Sequence, residues 1–125
     1  MFRCVFAVLA ALVALAATQS QIENIDIDAV LADPAKVDAV VSCFLNDDYQ
    51  GCNERSKFIK GLIAETVKTN CGSCSDGQKA GVVKFLVHIS RNKPESMKQL
   101  LAKYDPNGEA LVKYGDIWRQ NGISV

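Results

Sequence analysis

Apolar positions recur at helical spacing along most of this chain. Val37, Val40, Val41, Phe44 and Leu45 fall at i, i+3, i+4, i+7 and i+8, one face of a helix. Asp33-Pro34 ahead of them places a capping carboxylate before a proline at the first helical position. The preceding stretch, Asn24 to Leu31, predicts a short first helix with acidic residues near its start, where the helix dipole favours them. Residues 46–53 are polar, contain a glycine and predict a loop. Phe58, Ile59, Leu62, Ile63, Thr66 and Val67 then repeat the period and predict a third helix over 54–69. Ser75 with Gln78 three residues on has the form of a capping box. It opens a fourth helix over 76–91, with Val82, Val83, Leu86, Val87 and Ile89 as inward positions. Pro94 restarts the chain into a fifth helix carrying Met97, Leu100, Leu101 and Tyr104, and Asp105-Pro106-Asn107-Gly108 is a turn sequence. A last helix over 109–119 carries Leu111, Val112, Tyr114, Ile117 and Trp118. No stretch shows clean period-two alternation, so the predicted fold class is all-α, six short helices.

The amino terminus reads differently. Met1-Phe2-Arg3 supplies one positive charge, Val5 to Ala17 is an unbroken apolar run, and Thr18, Gln19 and Ser20 follow. That is the layout of a secretory signal, and the run is shorter than the roughly 18 apolar residues a membrane span needs. Residues 1–20 are therefore expected to be a signal peptide, with cleavage after Ser20, Ala16 or Ala17, leaving one domain over 21–125. The whole chain has 14 basic and 14 acidic groups; losing Arg3 leaves a net charge near −1. Such balance argues against a polybasic nucleic-acid binder, and 49% hydrophobic residues with three prolines and eight glycines argue against disorder.

Four of the five cysteines remain after residue 20, spaced Cys43-x8-Cys52-x18-Cys71-x2-Cys74. In a small exported chain an even count reads as disulfides. Three pairings are possible, of which Cys43–Cys52 and Cys71–Cys74 need no long-range threading. Loop-closure entropy puts their stabilisation at about 2.7 and about 1.9 kcal/mol. Cys71-x2-Cys74 is also the spacing of a redox motif, but the residues before it read as a helix end and not as a buried strand. A zinc site using Cys71, Cys74 and His88 lacks an obvious fourth ligand in an oxidising compartment. His88 is the single histidine, and no Gly-x-Ser-x-Gly elbow flanks a serine, so a hydrolase triad is disfavoured. Asp26/Asp28 suit a helix start and Asp47/Asp48 a polar loop, while Lys57, Lys60, Lys68, Lys79 and Lys84 read as solvated faces.

The chain resembles the insect chemosensory proteins, the OS-D-like family. The resemblance is carried by Asn24-Ile25-Asp26 with Leu31, the four-cysteine pattern, and Lys68-Thr69-Asn70-Cys71-Gly72-Ser73-Cys74 with Gln78-Lys79. It continues through Asn92-Lys93-Pro94-Glu95 and Lys103-Tyr104-Asp105-Pro106, and so spans most of the mature chain. It implies six short helices around an apolar channel, two sequence-local disulfides, and a soluble extracellular carrier of hydrophobic molecules such as fatty-acid derivatives and semiochemicals. Three departures stand out: eight residues between the first two cysteines where six are usual, Ile22 at a common tyrosine position, and Met97 at a usual aromatic one. The expected channel wall is Val30, Leu31, Leu45, Ile59, Leu62, Ile63, Val67, Val83, Leu86, Val87, Met97, Leu101 and Tyr104. Tyr104, Tyr114 or Trp118 is expected to hydrogen-bond a ligand head group, each offering a polar tip on an apolar ring. The reading is a monomer that is not an enzyme, with a hydrophobic small molecule as partner, no cofactor, no metal, no nucleic acid and no membrane span. The alternative is a secreted protein acting through protein contacts, which an exposed apolar patch would favour.

Overall fold

The computed structural model describes residues 26–48 and 50–125. The expected signal peptide, Ile22 and the Asn24-Ile25 pair lie outside the described residues. Six helices account for the described chain: α1 Ile27–Leu31, α2 Pro34–Leu45, α3 Glu54–Thr69, α4 Asp76–Asn92, α5 Pro94–Tyr104 and α6 Glu109–Gln120. The first described helix opens at Ile27 with Asp26 as its N-cap: the carboxylate accepts from the Ala29 amide at 3.1 Å. The other starts follow their local chemistry. Asp33 caps α2 ahead of Pro34, Asn53 accepts from the Ser56 amide at 2.7 Å to open α3, and Ser75 and Gln78 complete a reciprocal capping box on α4.

The start of α6 depends on a longer reach. Gly108, at φ 72°, is the N-cap position but has no side chain to offer. The two oxygens of Asp105 instead accept from the amides of Ala110 (3.0 Å) and Leu111 (2.9 Å). The turn read from Asp105-Pro106-Asn107-Gly108 is therefore also the cap of the next helix.

Packing begins with α2 laid along α3 and α4 along α5; α1 bridges α2 and α4, α5 touches α2, and α6 rests on α3. The core centres on Phe44 and Phe85, both fully buried, with ring centroids 6.3 Å apart at 87°. Around them Ile59, Ile63, Ile89 and Leu100 are fully buried. On α4 the inward face is Val82, Phe85, Leu86 and Ile89, while the expected Val83 and Val87 are only half-buried. The correction is one of phase: Val82, Phe85, Leu86 and Ile89 fall at i, i+3, i+4 and i+7, leaving Val83 and Val87 at the stripe's margin. On α6 only Trp118 and Ala110 are buried apolar contacts, and Val112 is 89% exposed.

Cys43–Cys52 and Cys71–Cys74 are the two disulfides, with Cα atoms 5.4 and 5.2 Å apart. Each pins a corner, the first between α2 and α3, the second between α3 and α4. The second corner is reinforced by Glu65, whose Oε1 accepts from Thr69 Oγ1 (2.8 Å) and Ser73 Oγ (3.0 Å), which holds that carboxyl below the ordinary 4.5. Lys84–Asp28 (2.8 Å) and Lys93–Asp38 (2.8 Å) are exposed ion pairs that tie elements together and contribute little stability.

Candidate functional site

Helix α3 presents Ile59, Ile63 and Val67 at i, i+4 and i+8, a single stripe about 12 Å long. Facing it, α4 presents Val82 and Leu86 one turn apart. Apolar space opens at both ends of this α3/α4 seam. A cavity of about 20 Å³ is lined by Ile59, Leu62 and Val82 together with Ile27 of α1 and Phe58. A second, of about 10 Å³, is lined by Val67, Leu86, Met97, Leu101 and Trp118. Ile63, fully buried, occupies the turn of α3 between the residues that line the two. Each cavity is the size of about one water molecule, so neither admits an alkyl chain as it stands.

Outside the second cavity lies an open groove of about 460 Å³ between α3 and α6. That volume is within the range of small-molecule sites. Ala64, Val67 and Ala110 are its apolar residues, and Lys68, Asp105, Glu109 and Lys113 its charged ones. Tyr104 and Tyr114 also line it. Val67 belongs to both the groove and the inner cavity and is therefore the partition between them.

The expected wall residues divide accordingly. Ile59 and Leu62 line the first cavity; Val67, Leu86, Met97, Leu101 and Trp118 the second; Tyr104 and Tyr114 the groove. Val30 faces a separate cleft of about 210 Å³ between α2 and the start of α3. Leu31, Leu45, Val83 and Val87 are half-buried against the core and line none of these spaces.

The three candidate head-group donors are not equivalent. Tyr104 Oη donates to the Phe44 carbonyl at 2.8 Å, and Trp118 Nε1 donates to Asn70 Oδ1 at 2.9 Å. Tyr114 Oη makes no hydrogen bond to another described residue, and Lys113 Nζ lies 5.4 Å from its ring centroid. Burial, reinforced by Asp47, pushes the Tyr104 phenol above its ordinary 10.0 against the opposing pull of Lys60, so it stays a neutral donor. His88 is half-buried, with Nδ1 3.3 Å from Asn92 Nδ2, and lies away from the groove residues.

The groove's Tyr104 is steadied by charge. Lys103 Nζ donates to the same Phe44 carbonyl (2.9 Å) and to Asp47 (2.7 Å), and Lys60 reaches Asp47 at 3.1 Å. The hydrogen bond from Lys103, then that from Lys60, hold the Asp47 carboxyl below its ordinary 3.8. A lowered folded-state pKa means a contribution that is present above 3.8 and lost as pH falls through the folded value. Asp47→Asn should therefore lose less stability than the wild type on acidification below about pH 4, by an amount that is small because the carboxylate is exposed. Circular dichroism melts between pH 2 and 6 read this out, and parallel acid limbs in the two proteins would contradict it.

One buried side chain of the second cavity had no place in the sequence reading: Ile123, which is 2% exposed. Its signal was nevertheless in the chain. Asn121-Gly122-Ile123 closes α6 in the pattern of a Schellman motif: the Gly122 amide donates to Arg119 O and the Ile123 amide to Trp118 O, each at 3.0 Å. Gly122 sits at φ 94°, where a side chain is strained, and the residue after such a glycine is characteristically apolar and turned inward.

Comparison with known proteins follows the same outline. The profile of the insect pheromone-binding family A10/OS-D matches residues 19–111. The chain is 32% identical over 103 residues to ejaculatory bulb-specific protein 3 of Drosophila melanogaster, covering 82% of this chain and 80% of that protein. It is 29% identical over 94 residues to the allergen Tha p 1 of Thaumetopoea pityocampa, covering 75% and 73%. Among solved structures, the antennal chemosensory protein A6 of the moth Mamestra brassicae superposes with a TM-score of 0.69 at 28% identity, covering 86% of this chain and 97% of that one. A chemosensory protein in complex with bromo-dodecanol superposes at 0.64 with 29% identity, covering 78% and 95%.

Proposed function

We propose that this chain, which belongs to the insect pheromone-binding family A10/OS-D, carries a small molecule with an alkyl chain and a polar end in the apolar space along the α3/α4 seam. The family binds its ligands without transforming them, and no chemistry is assigned to His88 or to the disulfides. The observation that carries the reading is the pair of cavities lined by the turns of α3 that flank Ile63. A guest chain joins them by displacing Ile63 and the flexible Met97, and enters from the α3/α6 groove past Val67. Repacking of this kind costs about 1–3 kcal/mol. About ten buried methylenes contribute about 8 kcal/mol in the other direction, before the cost of association. The related chemosensory protein that holds bromo-dodecanol supports a guest of this length and class.

Of the expected set, Ile59, Leu62, Ile63, Val67, Leu86, Met97, Leu101 and Tyr104 form the wall in this proposal; Val30 stands at its own cleft, and Leu31, Leu45, Val83 and Val87 pack against the core outside it. Tyr114, which lines the groove and makes no hydrogen bond to another described residue, is the head-group donor, and Tyr104 and Trp118 serve once a guest loosens their present bonds. The proposal also includes export as residues 21–125 after loss of the signal, and action as a monomer in extracellular fluid. No helix among the described residues is long and apolar enough to cross a membrane. The exposed Val112 and Ile117 are five residues apart and so about 140° around α6, which separates them and gives no support to a protein-docking patch.

Displacement of a fluorescent apolar probe by C12–C18 acids, alcohols and esters tests the carrier reading. The probe should bind, and at least one series should displace it at micromolar concentration. A probe that never binds, or that no guest displaces, overturns it.

A further inference from the structure

We propose that Ile123 sets the length of alkyl chain this protein accepts, an inference that rests on the carrier reading above. Its seven companions around the second cavity, among them Val67 of α3, Leu86 of α4, Met97 and Leu101 of α5, and Trp118 of α6, are all held on helices. Ile123 alone reaches the cavity from beyond a helix end. A guest that extends from the first cavity past Ile63 into the second meets a wall of which this side chain is part, contributed by the segment that follows α6 and not by the helical shell.

That segment is held firmly enough to act as a stop. The Ile123 amide donates to Trp118 O and the Gly122 amide to Arg119 O. The Ser124 amide donates to Ser90 Oγ at 2.9 Å, and Arg119 Nε donates to the Val125 carbonyl at 2.8 Å. Ser90, itself buried, also donates to Val87 O at 3.0 Å, so the segment is anchored on α4 as well as on α6. With its backbone fixed on both sides, Ile123 can only point into the core, and its size decides how much room the cavity has. Shortening the side chain opens space for additional methylenes, each of which strengthens binding about fourfold when buried.

The experiment compares wild type, Ile123→Val and Ile123→Ala for displacement of the same probe by the C12, C14, C16 and C18 alcohols. In Ile123→Ala the preference for C16 over C12 should rise about tenfold or more relative to wild type, and Ile123→Val should fall between. Should Ile123→Ala fail to fold, the valine variant, which removes one methylene, carries the test with a rise of about two- to fourfold. A residue that merely supports the fold would weaken all four alcohols by a common factor. Wild type that binds, with the C16/C12 ratio unchanged in the folded variants, overturns the assignment of Ile123 alone. Wild type that binds none of the four overturns the carrier reading and this inference with it.

Discussion

Replacing Phe85 with alanine should destabilise the fold by about 4 kcal/mol, the largest loss expected from a single side chain here. Phe85 is fully buried on α4 and meets Phe44 of α2 edge to face, so its ring joins two helices that do not follow one another in the chain. Truncation removes both the transfer energy of the ring and the favourable edge-to-face contact, and leaves a cavity that two disulfide-pinned corners keep from collapsing. For a domain of this size the melting temperature should fall by roughly 15–25 °C. Urea or thermal denaturation followed at 222 nm measures it; a loss below about 1 kcal/mol would show that the Phe44–Phe85 pair is not the centre of the core. Phe85→Leu, which keeps most of the volume, should recover more than half of the loss.

Filling the partition is the second large effect. Val67→Phe adds bulk where the groove and the inner cavity share a wall, and should reduce affinity for C12–C18 guests at least tenfold, the equivalent of about two buried methylenes. Its folding cost should stay within about 1–3 kcal/mol, because one side of Val67 opens to the groove and can take up part of the ring. Val67→Ala should act in the opposite sense, speeding guest association in stopped-flow measurements. Equal affinity and equal rates in both variants would place the entrance elsewhere, with the Val30 cleft between α2 and α3 as the next position to block.

The helices were legible because their signals are local. Asp33-Pro34, Ser75 with Gln78, and the i, i+3, i+4 spacing of Val37, Val40, Val41 and Phe44 act within one or two turns of chain, and each appears in the structure where its own chemistry places it. The phase of α4 was less legible. Val82, Val83, Leu86 and Val87 offer a valine-rich stripe of nearly equal hydrophobicity to the true one, and only the partner helix distinguishes them. Phe44, arriving from α2, fits against Phe85 and rotates the stripe toward it. Asp105 shows a related gap, since a residue read as part of a turn proves to cap a helix that begins four positions later.

The candidate site divides in the same way. That Ile59, Ile63 and Val67 share a face follows from 3.6 residues per turn, and so does the inwardness of Leu86 and Trp118. The sequence by itself thus determined six helices, the caps formed by Asp33 and by Ser75 with Gln78, two corner disulfides and most of the side chains that border apolar space. Tertiary structure decided which of those side chains leave space between them, that Ile63 divides it, that Tyr104 and Trp118 already spend their donors on Phe44 and Asn70, and that Ile123 turns back into the core. The reason is range: a cap or a helical stripe is settled by neighbours within a few residues, whereas a cavity is what remains when surfaces from four helices and a tail fail to fill the volume between them.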